Sequence, residues 1–188
     1  ERDGYGENWP ITYADVAPYY DKVESFIGVA GTIENIPNLP DGKYLPPFPL
    51  NCGERLVQKV APTLGLGMRV IPKRAAQRSR SHHGLTGCHY CGSCGRGCDV
   101  GAFWNSISDT LPAAIKTGRL TLRSDAVVRE ILVDRGGKPR GVLFIDRSSK
   151  KSYEAKGRVI VVGASALEST RIMLNSVSRL WPQGMANS

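Results

Sequence analysis

Apolar residues recur at helical spacing twice in the first part of the chain. Val16, Tyr19, Tyr20, Val23, Phe26 and Ile27 fall on one stripe that stops at Gly28, and Thr12 with Asp15 supplies a capping box, so the spacing predicts a helix from about residue 12 to 27. Pro18 sits early enough to predict the start of the second part of a broken helix. Leu56, Val57, Val60 and Leu64 make a second apolar face, with Asn51 as the cap, Glu54 as the third helical residue and Gly65 as the stop. Between the two helices stand prolines at 37, 40, 46, 47 and 49. Proline has no amide donor, so residues 31–50 are expected to be an extended surface arm that something else must hold in place.

Further along, Met68–Ile71 is a short apolar run before Pro72 and a candidate strand, and Ser106–Lys116 is weakly helical up to Gly118. After Gly118 the apolar period changes to two. Strands are predicted at Leu120–Leu122, Val127–Val133, Val142–Ile145 and Ser152–Glu154, with turns at Asp134–Gly137 and Arg147–Lys150. Val159–Val162 is apolar at four consecutive positions, the pattern of a central strand covered on both faces. It leads to Gly163 and Ala164, then to a helix carrying Leu167, Ile172 and Leu174. The expected organisation is a helix and proline-rich arm over 1–50, a helix with a cysteine-rich loop and short helix over 51–118, strands and a strand-to-helix corner over 119–176, and a tail over 177–188. Residue 1 is Glu, and the tail from Pro182 runs out in small and polar groups, so both ends read as cuts in a longer protein.

Composition changes this picture little. With 188 residues, 41% of them hydrophobic, the chain is long enough for a genuine core. The net charge of +8 draws attention to Lys73, Arg74, Arg78 and Arg80. No aromatic side chain interleaves with them, so nucleic-acid binding is set aside in favour of a solvated, anion-facing loop. No apolar run reaches the roughly 18 residues that span a bilayer.

Candidate chemistry concentrates in one loop. Cys88, Cys91, Cys94 and Cys98 fall within eleven residues in the spacing C-x2-C-x2-C-x3-C. Thiolates so spaced in a tightly turning loop can converge on one small inorganic core, and Gly92, Gly95 and Gly97 give the chain freedom to turn. Three alternatives stand: an iron-sulfur cluster; a zinc site of four cysteines, or of three with His82, His83 or His89; and disulfides or free thiols. The fifth cysteine, Cys52, is expected to be a buried small apolar residue, and His82 and His83 ordinary loop residues. Gly65-Leu66-Gly67 follows a helix and lacks a third glycine, so it is a helix stop and turn rather than a phosphate loop. No nucleophile elbow, zincin, P-loop or calcium-loop pattern occurs, and no carboxylate pair can be nominated. The corner from Val159 to Ser169 could lay main-chain amides beside a pyrophosphate or a flavin edge.

Three blocks taken together resemble the glucose-methanol-choline (GMC) oxidoreductases. They are Trp9-Pro10-Ile11-Thr12-Tyr13 with Asp15 and Pro18-Tyr19-Tyr20; the loop Cys88–Cys98 followed by Gly101; and VVGASALESTRIMLNS from Val161 to Ser176. The cysteine loop is similar to that of the flavin subunits of bacterial glucose, gluconate and fructose dehydrogenases. The resemblance implies an α/β fold with α+β character in this chain, part of an FAD/NAD(P)-binding flavoprotein fold with a small antiparallel ribbon. It implies FAD, and an enzyme that oxidises an alcohol or sugar hydroxyl. Main chain at Ala126 and Val127 would then meet the adenine, and Gly163 and Ala164 would turn near the cofactor. The same branch implies a cytochrome or quinone acceptor, a periplasmic or membrane-associated setting, and in some members a three-iron cluster. The pyrophosphate-cradling G-x-G-x-x-G and an active-site His, expected of the family, do not occur in this sequence. An oxygen-using oxidase and a non-enzymatic iron-sulfur or zinc module remain as alternatives.

Overall fold

The structure is a computed structural model that describes residues 8–187. It divides between Leu120 and Thr121 into two compact units.

The first unit opens with α1, Tyr13–Ile27. Its start is fixed by the Asp15 carboxylate, which accepts from the Thr12 amide at 2.7 Å and the Thr12 hydroxyl at 2.6 Å. Its end is Gly28 at φ 78, a left-handed cap whose amide donates to Glu24 O. The helix runs unbroken through Pro18, against the expectation of two parts; proline inside the helix removes one amide donor, and the run continues on both sides. α2, Cys52–Val60, starts at Asn51 with both halves of its capping box made, Asn51 Oδ1 accepting from Glu54 N and Glu54 Oε2 from Asn51 N. A single 3-10 turn, Ala61–Leu64, carries the chain to Gly65. Cys52 is exposed rather than buried, because α2 as a whole buries none of its residues. A wide turn over Ser106–Thr110 leads into the short helix α3, Leu111–Lys116, and Gly118 ends it.

What holds the proline-rich arm is a three-way seam. Ala30 exchanges both backbone bonds with Ala75, at 2.9 and 3.1 Å, while Leu45 N donates to Val29 O and Gly31 N to Leu45 O. Ile27, Val29, Ala30 and Leu45 are buried there. Arg74 braces the rest: it donates to Pro40 O at 2.6 Å and Thr32 O at 3.2 Å, and pairs with Asp41 at 2.5 Å. Asp41 in turn accepts from the amides of Glu34 and Asn35. The basic stretch is therefore a set of internal braces at Arg74 and Arg78, a correction to its expected solvated role. The isolated run Met68–Ile71 is not a strand; its polar contacts are Gln58 Nε2 on Val70 O and Arg69 on Glu34.

The second unit contains a three-stranded antiparallel sheet in the order β1 (Ala126–Val133), β2 (Pro139–Asp146), β3 (Ser152–Lys156). Pairing runs from Ala126 opposite Asp146 to Val133 opposite Pro139, with irregularities at Val128/Glu130 and Leu132/Val133. The first connection is a turn in which the Asp134 side chain accepts from the amides of Gly136 and Lys138. β1 is an edge strand, and α4, Ser165–Asn175, covers its open side. Ser176 accepts from Ile131 N at 2.8 Å and donates to Ile172 O at 2.6 Å, and Arg171 donates to Val128 O at 2.8 Å. Ile131, Phe144 and Ile172 are buried in this unit.

Two further expected strands do not form. Leu120–Leu122 and Val159–Val162 have no strand partner, and Leu122, Val159 and Val161 are exposed. A buried central strand needs hydrogen-bonded neighbours, and neither segment pairs with the three-stranded sheet of the described residues. The fold is mixed: helices with a small antiparallel sheet. Among the described residues no helix is long and apolar enough to cross a membrane.

Candidate functional site

The cysteine loop is closed at its base by one arginine. Arg78 is 2% exposed and pairs with Asp109 at 2.5 Å. Its Nε donates to Thr86 O, before the loop, and its NH2 group to Gly101 O, after it. The Arg78 backbone takes Cys88 N at 2.8 Å and gives to Ala102 O at 2.9 Å. One residue thus ties both ends of the loop to the same point. Gly87 packs against the Arg80 backbone too closely for any side chain to fit there.

All four loop cysteines line a single cavity of about 190 Å³ with His89, and all four are free thiols. Cys88 Sγ accepts from Gln77 Nε2 at 3.2 Å and Tyr90 N at 3.3 Å, and Cys98 Sγ from Phe103 N at 3.5 Å. Cys91 and Cys94 are exposed. The structure brings a different set closest together: the ligand atoms of His89, Cys91 and Asp99 all lie within 4.8 Å of one another. His89 Nε2 is 2.9 and 3.0 Å from the two Asp99 oxygens, and Cys91 Sγ is 3.9 Å from Oδ1. Asp99 is held below the usual carboxylate range, chiefly by the His89 hydrogen bond and then by that imidazole's charge and the Val100 amide. Asp99, Gln77 and the Arg78–Asp109 pair were not singled out as site residues from sequence; a carboxylate directly after the fourth cysteine was the available signal. His82 and His83 stay outside this cavity, His82 Nε2 lying 2.6 Å from Ser25 O and the His83 ring tilted against Phe26 with centroids 6.3 Å apart.

In the second unit, Ala126 and Val127 open β1, and Gly163 and Ala164 lead into α4. α4 meets β1 with both chains rising together, Arg171 at Val128 and Ser176 at Ile131. Continuing α4 back to residue 164 at about 1.5 Å per residue carries its N-terminus roughly 10 Å beyond Val128, to the end of the sheet where Ala126 and Val127 stand. The two stretches share one end of the unit.

The family model described as GMC oxidoreductase matches residues 6–178. The chain belongs to the GMC oxidoreductase family. It is 30% identical over 182 residues to the 2-methyl-1,2-propanediol dehydrogenase of Mycolicibacterium austroafricanum, covering 96% of this chain and 32% of that protein. To the fructose dehydrogenase large subunit of Gluconobacter japonicus it is 27% identical over 191 residues, 98% of this chain and 34% of the relative. The 6'''-hydroxyparomomycin C oxidase of Streptomyces lividus is 27% identical over 194 residues, with the same shares, 98% and 34%. The chain therefore spans about a third of the length of these GMC relatives.

GMC membership implies FAD. Gly163 is exposed and nothing lies within 4 Å of where its Cβ would project. The 11-residue helix α4 begins at Ser165, and the amide of its N-cap, Ala164, donates to Ser169 Oγ at 3.2 Å.

Proposed function

We propose that this chain is part of an FAD-dependent oxidoreductase acting on CH–OH groups, a sugar or polyol dehydrogenase subunit that passes electrons to a cytochrome or quinone. The observation that carries the proposal is the family match over residues 6–178. The named activities of two relatives, on a diol and on fructose, support the substrate class, and the word "subunit" in the second supports an acceptor partner. A periplasmic or membrane-associated setting through that partner goes with the same proposal.

Bound FAD would supply the hydride acceptor for a carbinol carbon. This chain's part is to hold it: Ala126 and Val127 offer strand backbone to the adenine, and Gly163 and Ala164 bring the N-terminus of α4 toward the cofactor. The base that takes the hydroxyl proton is assigned to the rest of the enzyme. Two relatives named as oxidases, from Streptomyces lividus and Streptomyces fradiae, favour a second reading in which oxygen takes the electrons.

The test is anaerobic mixing of the purified full-length protein with a panel of sugars and polyols, following flavin absorbance. Bleaching by a member of the panel, and reoxidation faster with a quinone or cytochrome than with oxygen, is the expected result. Reoxidation by oxygen with stoichiometric peroxide would select the oxidase reading, and a protein that purifies without flavin would overturn both.

A further inference from the structure

We propose that His89, Cys91 and Asp99 form a binding site for a single zinc-class divalent cation, which staples the cysteine loop. The inference is independent of the flavin chemistry proposed above.

The donor set decides the ion. Nitrogen, thiolate sulfur and carboxylate oxygen together suit a borderline ion such as Zn2+, whereas an iron-sulfur core wants several sulfurs converging. Among the described residues no group of three cysteine sulfurs lies as close together as these three mixed ligands do. A tetrahedral zinc with ordinary bond lengths separates its N and O ligands by about 3.3 Å and its S and O ligands by about 3.6 Å. The two separations to Asp99, 2.9 and 3.9 Å, are within about half an ångström of these values, while the His89 and Cys91 ligand atoms lie within 4.8 Å of each other and close toward about 3.6 Å on binding. One thiolate and one carboxylate balance the charge of the ion, and His89 remains neutral as a ligand. Binding displaces the Cys91 thiol proton to solvent, so uptake weakens as the pH falls.

Two features of the loop ask for such a staple. From Cys88 to Val100 no residue is buried and no disulfide is present, so neither a core nor a covalent link holds the interior of the loop. Cys91 is also flanked by left-handed backbone on both sides, Tyr90 at φ 62 and Gly92 at φ 75, which turns its sulfur toward Asp99. Left-handed backbone at a tyrosine is unfavourable and needs a compensating contact. The fourth position faces the cavity lined by Cys88, Cys94 and Cys98 and is filled by one of these thiols or by water.

The experiment uses the full-length protein purified without chelator, analysed for metals, acid-labile sulfide and flavin separately, then stripped and titrated with Co2+. About one zinc per chain without sulfide, and a cobalt spectrum with tetrahedral d–d bands and a thiolate charge-transfer band, are expected. H89A and D99N should each weaken cobalt binding by more than about 100-fold, while C52S leaves it unchanged. Iron with stoichiometric sulfide that survives H89A and D99N would overturn the proposal, as would a wild-type protein that takes up neither zinc nor cobalt. If a variant fails to fold by circular dichroism, the wild-type metal content and cobalt spectrum decide alone. Loss of flavin leaves the metal result intact, so the two proposals fail separately.

Discussion

Arg78 and Asp109 form a pair whose side chains are 2% and 4% exposed, and removing either partner strands the other charge away from water. Arg78→Ala or Asp109→Ala is expected to destabilise the protein by about 3–5 kcal/mol, measured by urea unfolding. Replacing both by apolar residues, as in R78M/D109L, should recover only part of that loss, because the carbonyls of Thr86 and Gly101 still lose their donor. Full recovery would show that the pair is a neutral substitute for packing rather than the closure of the loop. Asp41 carries a second residue-scale expectation. Its carboxyl is held below the usual range by the Glu34 amide first, then by the Asn35 amide and Arg74. A depressed folded value means that the contribution is complete above the unfolded value of about 4 and is lost as pH falls through the folded one. Hydrogen exchange at the amides of Glu34 and Asn35 should accelerate only below about pH 4, and D41N should show the fast exchange already at neutral pH.

At the scale of elements, α4 hangs on β1 through Ser176, which is buried and bonds Ile131 N and Ile172 O together. Ser176→Ala leaves the Ile131 amide without its acceptor and should cost about 1–3 kcal/mol, read as a lowered unfolding midpoint of the second unit. Asn51→Ala removes the cap of α2 and should cost about 1 kcal/mol, with loss of helical signal confined to that helix. The elements with local causes were legible in the sequence: both capped helices, the glycine stops, and the ribbon with its Asp134 turn each rest on residues within a few positions of one another. What sequence could not show depends on distant partners. Apolar alternation at Leu120–Leu122 and Val159–Val162 is the same whether or not neighbouring strands exist to accept the backbone bonds. A basic stretch looks solvated until Asp41 and Asp109, each more than thirty residues from its arginine, are brought against it. The cysteine spacing singled out the loop, but Asp99 comes beside His89 and Cys91 only through turns at Tyr90 and Gly92.

On the scale of the whole molecule, the apolar faces that the sequence patterns so clearly stay uncovered. Tyr19, Val23, Phe26, Leu56, Val57 and Val161 are exposed among the described residues, although each lies on a face patterned for burial. In the proposed enzyme, of which this chain spans about a third by comparison with its relatives, those faces and the unpaired segment at 159–162 would be covered by the remainder. The same division falls across the cofactor site. Under that proposal this chain would offer one edge through Gly163 and Ala164, while the glycine-rich turn that carries the pyrophosphate does not occur in it. Backbone contacts along one edge leave most of a dinucleotide in water, so they cannot offset the freedom it loses on binding. The 188-residue chain on its own is therefore expected to return no bound FAD after equilibrium dialysis and to enhance the fluorescence of an apolar-surface dye. The full-length protein should hold FAD through gel filtration and leave the dye dark. Stoichiometric FAD retained by the short chain would place the phosphate-binding load within residues 1–188, and G163V would then be the variant to locate it. Dye binding that is equal in the two proteins would show instead that the exposed faces of α1 and α2 are not interior surfaces of the enzyme.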